Sequence, residues 1–97
     1  MSRRYELRLT SHFDRNFRQL DEKSQLRAAR EILKLESDPL IGKALHGELK
    51  GLRSLRIGDY RVIYEISGGN VVLTYALIAW AFSVIFGLTY GLVMGKL

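Results

Sequence analysis

Three arginines, Arg53, Arg56 and Arg61, cluster in the stretch LKGLRSLRIGDYRVIYEI at residues 49–66. A guanidinium stays charged at any physiological pH, and its planar fork of donors matches phosphate oxygens. Such groups stabilise negative charge that builds on a phosphate during its transfer or cleavage. Tyr60 and Tyr64 interleave with the arginines, and a cationic strand pair with tyrosines beside it is a surface for a polyanion. Both rings also suit the core beneath a helix, and that reading is preferred. The histidines, His12 and His46, lie far apart in the chain and form no metal motif. His46 reads as a loop residue and His12 as a surface residue in the first turn of a helix. The sequence has no cysteine, which excludes disulfides and thiolate metal sites. No metal and no cofactor is expected.

A hairpin must position these arginines. Residues 52–57 and 60–66 are β-prone runs joined by Gly58-Asp59, a two-residue turn signal that favours positive φ. Side chains alternate along a strand, so Tyr60, Val62, Tyr64 and Ile66 share one face, and Arg61, Ile63 and Glu65 the other.

The rest of the chain supplies a frame for that hairpin. Its 97 residues allow one domain with a modest core. A net charge of +5 favours an anionic partner, whether nucleic acid, an acidic protein or a lipid surface. The start MSRRYELRL lacks the apolar stretch of a signal peptide, so a cytoplasmic protein is expected. Residues 5–10 alternate as a short strand. Ser11, with Asp14 three positions on, suits the N-cap of a helix over 11–19, and Phe13, Phe17 and Leu20 follow at helical spacing. A second helix spans about 21–36, with Leu26, Ala29, Ile32, Leu33 and Leu35 as its apolar stripe. Asp38-Pro39 ends it, since the residue before proline disfavours the α region. Residues 40–50 read as a mildly basic connection. Ser67-Gly68-Gly69-Asn70 marks a second turn, and 71–78 a final strand. The expected fold is α+β, β-α-α-β-β-β, with two N-terminal helices packed on a small, mainly antiparallel sheet.

A sharp break follows. Between Ser67 and Gly95 there is no charged residue. Residues 71–95 are long and apolar enough to compete as a membrane span, which needs ~20 such residues. Ala79, Ser83, Gly87, Gly91 and Gly95 recur every fourth position, as in packed membrane helices. Tyr75, Trp80 and Tyr90 would then sit at the membrane interfaces. The preferred reading keeps 71–78 in the sheet. It divides the chain into a domain over 1–78 and an apolar, helical tail over 79–97 that would lie against the domain, oligomerise or insert into lipid. A shifted reading frame or an artificial terminus would equally account for such an ending.

The element order, the Asp-Pro after the second helix and above all residues 49–66 resemble the RelE/ParE superfamily of toxins from type II toxin–antitoxin modules. The resemblance covers about residues 3–78, and its most specific part, residues 49–66, is similar to the pattern L-x-G-x-(x)-R-x-R-x-G-x-Y-R-(V/I)-x-Y. The resemblance implies a cognate antitoxin as partner. It also implies a metal-independent endoribonuclease that enters the ribosome and cuts mRNA by attack of a ribose 2′-OH on the adjacent phosphate. By position, Arg61 and Arg56 become the catalytic candidates, and Arg53, Lys50 and Lys43 the RNA-binding ones. RNA-cleaving members carry a polar ending with arginine, histidine and tyrosine. Here Ala79-Trp80-Ala81-Phe82-Ser83 stands in its place, so cleavage is expected to be weakened. The alternatives are a ParE-like protein that inhibits DNA gyrase by contact, or a degenerate toxin with a membrane-associating tail.

Overall fold

The computed structural model describes residues 4–78. They form a mixed five-stranded sheet in the order β1-β5-β4-β3-β2 with two α-helices. The elements in chain order are β1 (Glu6–Leu9), α1 (Ser11–Arg18), α2 (Glu22–Leu33), β2 (Lys43–Ala44), β3 (Leu52–Ile57), β4 (Tyr60–Ser67) and β5 (Asn70–Ile78). The expected sheet gains a strand, because β2 pairs with β3 inside what read as a connection. Two paired residues are too few to show alternation in a sequence. The described strand neighbours are antiparallel except β1, which runs parallel to β5.

Capping fixes the helix starts. Thr10, not Ser11, caps α1: its backbone is extended and its hydroxyl accepts from Phe13 N at 3.1 Å. Asp21 caps α2 through Ser24 N, and α2 ends at Leu33, earlier than expected, in a 3-10 turn over Lys34–Glu36. The apolar stripe that enters the core is Ala28, Ile32 and Leu35, spaced i, i+4, i+7. Leu26 and Leu33, expected in that stripe, are 57% and 56% exposed. Phe13 from α1 joins Ala28, Ile32 and Leu35 against Ile57, Val62, Tyr64, Val71, Leu73 and Ala76 of the sheet.

Both expected hairpins form. Ile57 pairs with Tyr60 around Gly58-Asp59, and Ser67 with Asn70 around Gly68-Gly69. In each turn the first glycine carries positive φ, 59° at both Gly58 and Gly68, while Asp59 does not. That matches the tight turn with glycine in its first central position.

Residues 71–78 are thus part of the sheet, and among the described residues no helix is long and apolar enough to cross a membrane. The expectations for 79–97 lie outside the described residues: a helical tail, its small-residue stripe and a role at a membrane.

Candidate anion-binding site

The turn at Gly58-Asp59 sets the register of everything beyond it. With Ile57 opposite Tyr60, the next pair is Arg56 opposite Arg61, then Leu55 opposite Val62 and Ser54 opposite Ile63. Directly opposed residues project from the same side of a sheet. Arg56 and Arg61 therefore share one face, and it is not the face that packs on α1 and α2, which takes Ile57, Val62 and Tyr64. Arg61 Nη1 donates to Ser54 Oγ at 3.1 Å, and Arg56 Nε to Gly58 O at 3.3 Å. Lys43 is the cross-strand partner of Ser54 on the other side, which brings a third cation to the same face. Arg56 and Lys43 are exposed, whereas Arg61 is half-buried.

Like charges directly opposite one another across a ladder destabilise the pairing. Among the described residues, ion pairs form between Arg8 and Glu6, Arg18 and Asp14, and Lys34 and Glu31, and none engages Arg56. An anion lodged between Arg56 and Arg61 would turn this repulsion into two charge-assisted contacts.

Arg53 and Lys50 are placed elsewhere. Arg53 stands opposite Tyr64, on the helix-covered side. Its Nη2 donates to Leu40 O at 3.1 Å and to Gly42 O at 2.7 Å, while its Nε is buried without a partner. Tyr64 Oη donates to Pro39 O at 2.7 Å and accepts from Gly42 N at 3.0 Å, so the two side chains together tie down 39–42. Arg53 thus braces the segment that leads into Lys43. Lys50 and Arg53 line a cavity of about 380 Å³ with His46 and Leu52 at the β2–β3 edge. Of the five basic residues marked by the sequence, the structure gathers Arg56, Arg61 and Lys43 on one face and sets Arg53 and Lys50 apart.

One feature of this face had no signal in the sequence. Between Ile63 and Tyr64 the β4–β5 register shifts, and Thr74 of β5 is left unpaired. Val71 and Leu73 reach the core before this bulge, and Ala76 after it. Tyr75, which strict alternation would put beside Val71 and Leu73, instead stands opposite Ile63 on the cationic face. There its ring meets that of His12, with centroids 5.5 Å apart. The expectation of a surface position for His12 holds, but it is a surface residue with an aromatic partner. Bulges twist a strand and re-aim side chains, and they recur beside functional sites.

Comparison with known proteins agrees with this architecture. The family described as the ParE toxin of the type II toxin–antitoxin system parDE matches residues 4–78. Toxin RelE of Mycobacterium tuberculosis (strain ATCC 25618 / H37Rv) is 34% identical over 68 residues, covering 68% of this chain and 70% of that protein. Among solved structures, the RelBE2 toxin–antitoxin complex of Mycobacterium tuberculosis gives a TM-score of 0.70 at 31% identity, over 77% of this chain and 98% of that one. The isolated Escherichia coli RelE toxin gives 0.68 at 15% identity, over 77% of this chain and 84% of that one, a likeness of fold.

Proposed function

This chain belongs to the RelE/ParE superfamily as a RelE-type toxin of a type II toxin–antitoxin system, and we propose that its target is mRNA on the ribosome, cleaved without a metal. The observation that carries this reading is the Arg56–Arg61 pair, two arginines at directly opposed positions of the β3–β4 ladder and so on one face. A phosphodiester seated between them receives donors from both sides. In the cleavage step the 2′-oxygen forms a bond to phosphorus while the bond to the 5′-oxygen breaks. The 2′-OH proton goes to a base, and the departing oxygen gains a proton from an acid. Arg61, half-buried and fixed by Ser54, holds the charge that builds on the non-bridging oxygens. Arg56 and Lys43 bind and orient the strand.

Residues 79–83 carry none of the histidine, arginine or tyrosine that RNA-cleaving relatives place there. A missing acid or base slows such a reaction by ~10² to 10⁴. The expected enzyme is therefore slow, and its activity is best read in single turnovers with the toxin in excess. Its partner is a separate antitoxin chain, by analogy with the solved RelBE2 complex at 31% identity. Its place of action is the cytoplasm, where mRNA is translated.

The test sets two assays side by side with the full chain. Cleavage of mRNA on programmed ribosomes, abolished by Arg61→Ala, supports the proposal. Inhibition of DNA gyrase supercoiling without mRNA cleavage replaces it with the contact-inhibitor reading.

A further inference from the structure

The bulge in β5 commits structure to exposing a ring. Thr74 gives up its place in the ladder, yet its hydroxyl and its carbonyl are both partnered. Its Oγ1 donates to Ile63 O at 2.9 Å, and its carbonyl accepts from Thr10 Oγ1 at 2.9 Å. Thr10 N also donates to Leu73 O at 3.0 Å, and Ala76 N donates to Asn16 Oδ1 at 3.4 Å. α1 therefore takes over the edge of β5 where β1 stops. Phe13 turns inward, 2% exposed, and His12 turns outward onto Tyr75. Tyr75 remains 39% exposed with its ring against an exposed imidazole.

The position of this pair relative to the arginines follows from the register. Tyr75 is opposite Ile63, and Arg61 is two residues from Ile63 on the same face of β4. Tyr75 and Arg61 are thus diagonal neighbours, ~7–8 Å apart at the backbone. An aromatic plane one diagonal step from a phosphate-binding guanidinium has the layout of a single-strand nucleotide site, with charge for the backbone and a flat ring for the base.

We infer that Tyr75, backed by His12, is a stacking platform for an unpaired RNA base whose phosphate rests on Arg61. The inference builds on the RNA-target reading and adds a base subsite to it. Every base has a π-face, so the platform is tolerant of sequence and adds affinity more than discrimination. His12 holds the tyrosine ring at a fixed tilt, so that less rotamer freedom is lost on binding.

The experiment uses the full chain and a short single-stranded RNA, either intact or with one abasic position moved along it. Tyr75→Leu is expected to weaken binding of the intact RNA by about 5- to 100-fold, the range of one lost base stack. It leaves unchanged the affinity for the RNA whose abasic position falls at the platform. Tyr75→Phe keeps wild-type binding of both, and His12→Ala gives a smaller loss, again confined to intact RNA. Equal weakening of intact and abasic RNA by Tyr75→Leu, or no weakening of either, overturns the platform. Arg61→Ala separates this result from failure of the RNA reading, since it should weaken both RNAs alike. If Arg61→Ala weakens both and Tyr75→Leu neither, the platform alone fails. If the wild-type chain binds neither RNA, the target reading fails and takes the platform with it.

Discussion

The two faces of the sheet are built by opposite rules. On the helix side Val62, Tyr64, Val71 and Leu73 are closed off beneath Phe13, Ala28, Ile32 and Leu35. Apolar volume and a few buried hydrogen bonds hold that side together. On the other side Arg56 faces Arg61 and Lys43 faces Ser54. The first arrangement gains stability from burial. The second sets like charges against each other, which works against the pairing, and a bound anion would offset it in the reading proposed above. The same strands carry both faces, so packing on one side fixes the backbone positions of the charges on the other.

Truncating the packed side should have the largest effect. Tyr64→Ala removes a fully buried ring and leaves Pro39 O and Gly42 N without their partner. It should destabilise the fold by about 3–5 kcal/mol, read as a fall in the urea midpoint. A loss below ~1 kcal/mol would mean that the core is not centred there.

Changes on the charged side should separate activity from stability. Arg61→Ala is expected to lower single-turnover RNA cleavage by ~10² or more. Its effect on unfolding should stay at ~0.5–1.5 kcal/mol, the range of a lost hydrogen bond such as the one to Ser54, well below that of Tyr64→Ala. Arg56→Ala removes one of two opposed like charges, so it should lower cleavage while raising stability at low salt by ~0.2–1 kcal/mol. If added salt leaves that gain unaltered, electrostatic repulsion is not its source.

The link between the faces is testable at the turn. Gly58 has φ of +59°, and a Cβ there would approach Arg27 Nη1 at 2.9 Å. Gly58→Ala should cost about 1–2 kcal/mol from the left-handed backbone alone. A neutral outcome would show that the turn relaxes to another type, with a new register for Arg56 and Arg61.

The smallest effect belongs to a helix start remote from both faces. Hydrogen bonding to Ser24 lowers the Asp21 carboxyl below its ordinary 3.8. A lowered folded pKa adds stability above pH 3.8 that is lost as pH falls through the folded value. Asp21→Asn should therefore flatten the acid limb of a stability–pH curve below about pH 4 and leave the neutral region almost level.

The charged face was largely legible in the sequence, because a two-residue turn leaves no freedom in pairing. Once Gly58-Asp59 is read as the turn, Arg56 must face Arg61. Arg53 was less legible. Its residue type suggests an exposed cation, yet its parity places it opposite Tyr64, where it braces backbone carbonyls. Periodicity also misjudged α2, whose leucines outnumber the positions the core takes up. Ala28 packs inward beside Ile32 and Leu35, which the stripe did include, while Leu26 and Leu33 face out. The turn of Tyr75 toward the arginines was invisible, since a single extra residue inverts the parity of a strand and leaves no compositional trace.

The parallel pairing of β1 with β5 carries a consequence in time. Thr10 Oγ1 reaches Thr74 O across 64 positions of chain. At ~5–20 residues per second, a nascent chain waits roughly 3 to 13 s between making the first of these residues and the second. Throughout that delay Glu6–Leu9 has no sheet neighbour, and α1 has no edge to occupy. The molecule is closed last at the strand it makes first, so a polypeptide that stalls before Asn70 is left with an unseated end rather than a working toxin.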